Sequence, residues 1–114
     1  MRLPNGDHAR VDQKKITEYL LNESHPDGWG KAKFFRAHGF NQETWQVLAD
    51  ALARHGRQNP VTGSMESPFG TRYSVVGPLE APSGRRPMLV TVWIVEKGSD
   101  APRLVTAYPQ PGRR

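Results

Sequence analysis

Two regions of this 114-residue chain carry side chains that could do chemistry together. The first is His25-Pro26-Asp27-Gly28-Trp29-Gly30-Lys31-Ala32-Lys33-Phe34-Phe35-Arg36-Ala37-His38-Gly39-Phe40, the densest mixture of cations and aromatics in the sequence. His25 precedes a proline in a Pro/Gly turn. A histidine there is either a solvated loop residue or a general acid/base at a cleft mouth. Lys31, Lys33 and Arg36 follow closely, with Trp29 between them and the histidine. A proton-transfer group, cations for phosphate oxygens and an aromatic to stack a base are what metal-free RNA cleavage requires. The plainer alternative is that Lys31 and Lys33 form the solvated face of an amphipathic helix.

The second region is the last apolar run. Leu104, Thr106 and Tyr108 share one face if the segment is a strand with a period of two. Thr91 and Trp93 share a face of the preceding strand, with Arg72 or Tyr73 joining from the strand before that. Hydroxyls with a tyrosine and an arginine beside a histidine could form a metal-independent transesterification site. Alternatively, Thr and Tyr are simply good strand formers on a half-exposed sheet. Other chemistries lack their signatures: there is no nucleophile elbow, glycine-rich phosphate loop or His-x-x-x-His pair. His8, His25, His38 and His55 are dispersed, and Glu18, Asp27, Asp50, Glu66 and Glu96 show no two-metal pairing. No metal and no cofactor is expected. His38 and His55 fall at helix ends, where a cation suits the macrodipole.

The elements that must position these residues follow from periodicity. Residues 1–10 read as an extended lead-in. Asp12 is placed to cap a first helix whose buried face is Ile16, Tyr19 and Leu20, ending by Asn22. A second helix spans 30–38 and stops at Gly39, a residue suited to a left-handed C′ position. Asn41 caps a third helix, with Trp45, Leu48, Ala49 and Leu52 inward and Gly56 as its end. Strands then follow near 61–66, 70–76, 88–96 and 103–108, separated by Pro82-Ser83-Gly84-Arg85 and Lys97-Gly98-Ser99-Asp100 turns. Residues 59–109 thus read as a sheet, 11–56 as the helical part and 110–114 as a basic tail. The fold class is α+β: about three N-terminal helices on one face of a three- to four-stranded antiparallel sheet, in a single domain. Phe34, Phe35, Trp45, Leu48 and Leu52 should pack on the Met88–Val95 strand.

Sixteen Lys/Arg against eleven Asp/Glu give a net charge of +5 and a pI near 10.0. That balance permits an acidic partner, nucleic acid above all. The absence of cysteine excludes disulfides, thiolate catalysis and cysteine-based zinc sites. No apolar run approaches the roughly twenty residues of a membrane span, and no apolar signal region opens the sequence. A cytoplasmic protein, or one delivered into a target cytoplasm, is expected.

Leu3-Pro4-Asn5, Leu21-Asn22, His25-Pro26, Gly30-Lys31-Ala32-Lys33-Phe34-Phe35 and Gly39-Phe40 resemble the start of a small bacterial domain family of unknown function. The likeness continues through Phe69-Gly70-Thr71-Arg72-Tyr73, Gly77-Pro78-Leu79, Gly84-Arg85, Val92-Trp93-Ile94 and Arg103-Leu104-Val105-Thr106-Ala107-Tyr108-Pro109. Members occur alone and at the ends of toxin-like proteins. Their layout is similar to the Barnase–EndoU–colicin–RelE ribonucleases. The resemblance implies metal-free RNA cleavage through a 2′,3′-cyclic phosphate, restrained by a small acidic antitoxin or immunity protein. His25 would then be general acid or base, and Lys31 and Arg85 would act on the phosphate. Thr106 and Tyr108 would orient the scissile group, with Tyr73 or Trp93 stacking a base. Trp29, Lys33, Arg36 and Arg72 complete the expected RNA-binding set. The competing expectations are a non-catalytic module that binds nucleic acid or protein, and a hydrolase or transferase acting on some other substrate.

Overall fold

The computed structural model describes residues 1–110. Four strands, β1 (Val61–Ser67), β2 (Gly70–Pro78), β3 (Met88–Glu96) and β4 (Arg103–Pro109), form one antiparallel sheet in chain order. After a short 3-10 turn at Gly6–His8 in the otherwise extended lead-in, three helical segments precede the sheet and pack on one face, giving an α+β architecture. The first is α1 (Gln13–Lys15), which runs directly into a π-helical turn, Ile16–Leu20. The others are α2 (Trp29–Ala37) and α3 (Trp45–Gln58).

β3 is the central strand, apolar on both sides. Leu89, Thr91 and Trp93 point into the helices and are fully buried. Phe35, Leu48 and Leu52 pack there as expected, whereas Phe34 and Trp45 are only partly buried at its margin. Phe40, Ile16, Leu20 and Leu104 complete the interior.

Three expectations are corrected by packing. Gly56 does not end α3 but lies inside it, because a Cβ there would sit 2.6 Å from Cζ2 of Trp93. The helix accepts the least favourable ordinary residue so that the indole can lie against its backbone. His55 is not a helix-end cap either. It is buried, with Nε2 3.1 and 3.0 Å from the carbonyls of Gly77 and Leu89, and Nδ1 3.0 Å from Oγ1 of Thr91. Trp93 Nε1–H donates to that same hydroxyl at 2.8 Å. The donors and acceptors are complete if His55 is neutral with its proton on Nε2. Burial pushes its proton affinity down against the two carbonyl contacts that raise it, and burial wins.

The third correction concerns β4. The β3–β4 register slips between Val92 and Trp93, so Val92 faces Thr106 but Trp93 faces Leu104. Val105 is therefore an extra, bulged residue. Leu104 and Ala107 are both buried although three residues apart. Leu104 thus does not share a face with Thr106 and Tyr108.

The two sheet edges differ. The lead-in covers the start of β4: Arg10 N–H donates to the Pro102 carbonyl at 2.8 Å, and Leu104 N–H to the Arg10 carbonyl at 3.0 Å. β1 is exposed along most of its length. Gln110 still bonds to the Met88 carbonyl at 3.1 Å, while the rest of the expected tail, residues 111–114, lies outside the described residues.

Candidate functional site

Tyr19 is the hub of the side chains expected to do chemistry. In the π-helical turn the Leu21 amide reaches back five residues to the Ile16 carbonyl, at 2.8 Å. The wider turn keeps Ile16, Leu20 and Leu21 in the core and leaves Tyr19 half-buried, directed at β4. Its hydroxyl lies 3.3 Å from Oγ1 of Thr106, beside the bulge. Lys15 and Lys31 place their ammonium groups 5.3 and 5.4 Å from the ring centroid. The ring of His25 meets it edge-on at 5.0 Å.

The His25 turn is built to dock on that ring. Asn22 Oδ1 accepts the Ser24 amide at 2.9 Å, and the His25 carbonyl accepts the amides of Gly28 and Trp29, opening α2. Gly28 has no side chain because a Cβ would fall 2.5 Å from the Tyr19 carbonyl oxygen and 3.1 Å from its Cδ1. The His25 Nδ1 accepts the amides of Asp27 and Gly28 at 3.0 and 3.1 Å. Nδ1 is thus the acceptor, and in the neutral ring the proton sits on Nε2. His25 holds its own turn with one nitrogen and offers an N–H with the other.

Burial raises the proton affinity of the Tyr19 phenol. The hydroxyl contacts with Thr106 and Lys31, and the charges of Lys31 and Lys15, outweigh it. The net result is a phenol below the ordinary tyrosine value, because the lysines and the threonine favour the phenolate.

The remaining expected residues divide clearly. His25, Lys31 and Thr106 come together through Tyr19. Trp29 is half exposed at the start of α2, and the Lys33 ammonium lies 5.3 Å over its ring. Arg36 is committed to structure, pairing with Glu23 at 3.4 Å and donating to the Leu21 carbonyl at 3.2 Å. Arg72 is exposed on the sheet face away from the helices, while Tyr73 packs against the core margin. Tyr108 is half-buried on β4 opposite Val90.

Two residues do not join the group. Arg85 is exposed in the β2–β3 loop, whose Ser83 amide donates to the His38 carbonyl at the far end of α2. Its neighbour Arg86 points toward Glu80 at 3.9 Å, on the rim of a cavity of about 130 Å³ shared with Arg54 and His55. Trp93 cannot stack a base: it is fully buried and its N–H is spent on Thr91. Alternation on β3 placed Thr91 and Trp93 together correctly, but on the core face. In the sequence Tyr19 reads only as part of the buried face of the first helix. The i, i+4 spacing of Lys15 and Tyr19 was the available signal, yet it is equally a common helix surface pair.

Among the described residues, no group of three or more His, Asp or Glu side chains is arranged to hold a metal ion. No helix there is long and apolar enough to cross a membrane.

The architecture is similar to a solved chain from a contact-dependent growth inhibition toxin–immunity protein complex of Klebsiella pneumoniae 342. The superposition covers 94% of this chain and 97% of that one, with a TM-score of 0.73 and 19% sequence identity. At that identity the likeness concerns the fold. A family model matches residues 2–111, and the chain belongs to the family described as Domain of unknown function (DUF6883).

Proposed function

We propose that this domain is a metal-independent ribonuclease of the toxin type. The observation that carries the reading is the gathering of Lys15, Lys31, the ring of His25 and the Thr106 hydroxyl around the phenol of Tyr19. In RNA transesterification the 2′-oxygen attacks phosphorus, and negative charge builds on the non-bridging oxygens. Lys31 supplies a cation and His25 an N–H to those oxygens, and Thr106 orients the scissile group with Tyr108 farther along β4. Trp29, exposed beside the His25 turn, stacks a base, and Lys33 and Arg72 hold flanking phosphates. Arg85, remote from the cluster, reaches at most a distal phosphate.

The net charge of +5 suits RNA and also an acidic inhibitor. The fold it shares with a chain of a toxin–immunity complex supports a partner of the immunity type. Such a protein acts in the cytoplasm of the cell that makes it or of a target cell. The test is growth of a bacterium on induction. Wild type should arrest growth and degrade cellular RNA, and Lys31→Ala should relieve both. Growth unaffected by well-expressed wild type would contradict the reading.

One observation favours a second reading, a nucleic-acid-binding module without catalysis. The Nδ1 of His25 is fully used in holding its own turn, which is a sufficient structural reason for a histidine there. Salt-sensitive RNA binding without cleavage would support it.

A further inference from the structure

Resting on the ribonuclease reading above, we propose that Tyr19 is the proton donor to the leaving group, protonating the 5′-oxygen as the phosphodiester breaks. His25 is poorly placed for that task. Two amides occupy its Nδ1, so the ring has no free lone pair with which to become an imidazolium, and a neutral imidazole N–H is a far weaker acid than a phenol. Tyr19 has an O–H, a fixed position against Thr106, and two ammonium groups over its ring. Those ammonium groups stabilise the phenolate that proton donation creates. Gly28 keeps the turn close enough for Lys31 to reach the ring from the next helix.

The step balances with water alone. The ribose 2′-oxygen bonds to phosphorus while its proton passes to solvent. The P–O5′ bond breaks, its electron pair stays on O5′, and the Tyr19 hydroxyl proton moves to that oxygen. The products are a 2′,3′-cyclic phosphate and a 5′-hydroxyl. Solvent then reprotonates the phenolate.

The test compares a normal RNA oligonucleotide with one whose leaving 5′-oxygen is replaced by sulfur, because a thiolate departs without a proton. Tyr19→Phe keeps the ring against Gly28 and His25. It should lose about 10²–10⁴-fold in rate on the oxygen ester yet stay within about threefold of wild type on the sulfur ester. A merely structural role would slow both substrates alike. Equal loss on both, or no loss on the oxygen ester, overturns the assignment. Failure of wild type to cleave either substrate overturns the ribonuclease reading and this proposal with it. Should the Phe variant not fold, wild type alone decides. Its oxygen-ester rate should fall at alkaline pH as Tyr19 ionises, and fall more steeply than its sulfur-ester rate, because any loss from deprotonation of Lys31 is common to both substrates. The titratable groups facing the phenol are Lys15, Lys31 and His25. Parallel alkaline profiles for the two esters would overturn the proposal.

Discussion

Gly28 lies so close to Tyr19 that a methyl group on it would stand 2.5 Å from the Tyr19 carbonyl oxygen. The obstacle is backbone, which cannot rotate away. The contact joins the His25 turn, and the start of α2 that carries Lys31, to the segment carrying Tyr19 and Lys15. Gly28→Ala should therefore push these halves apart and cut RNA cleavage at least about tenfold, while the core under α3 keeps the fold cooperative. Circular dichroism melts beside cleavage rates check this. Undiminished activity would show that the contact does not organise the site.

Gly56 faces a different obstacle, the indole of Trp93 at 2.6 Å from a would-be Cβ. Alanine normally stabilises a helix interior by up to about 1 kcal/mol over glycine. Here overpacking costs about 1–3 kcal/mol, so Gly56→Ala should lower stability in a urea melt. A gain would mean that Trp93 has room to move.

Phe35 is fully buried between α2 and the sheet. Phe35→Ala should cost about 3–5 kcal/mol by lost transfer energy and a cavity. Chemical denaturation with an unchanged m-value checks it, and a loss below about 1 kcal/mol would contradict the packing.

His55 gives stability a pH dependence of known sign. Its proton affinity is pushed down in the folded state, burial being the larger cause. The neutral ring is the form that fits, so its contribution is complete above the unfolded value of about 6.5. It is lost as pH falls below that, since the unfolded chain binds the proton more readily. The melting temperature should fall on acidification from about pH 6.5. His55→Gln should be less stable at neutral pH and show a shallower decline there. An identical decline in the variant would assign the effect elsewhere.

Much of the fold was legible because its signals are local. Gly39, at φ +99°, ends α2 as its sequence position implied, and Asn41 accepts the Thr44 amide at 2.9 Å just before α3. The alternation of β3 identified its central place and put Leu89, Thr91 and Trp93 on one face, but not that this face is the buried one. What escaped depends on pairs distant in sequence. Gly56 reads as a helix stop until Trp93, far along the chain, is seen against it. Thr106 reads as part of a regular alternating strand until the bulge at Val105 breaks the period. Tyr19 reads as core because the helical period holds until the π turn widens it. The site shares this pattern: His25 and Lys31 are neighbours in sequence, whereas Tyr19 and Thr106 meet only through the fold.

The most direct test of the account is cleavage of RNA by purified wild-type protein in excess EDTA, beside Lys31→Ala and His25→Ala, with the product ends identified. The account predicts cleavage that survives chelation, leaves 2′,3′-cyclic phosphate ends and falls steeply in both variants. Folded wild-type protein that cuts no RNA under these conditions would contradict it.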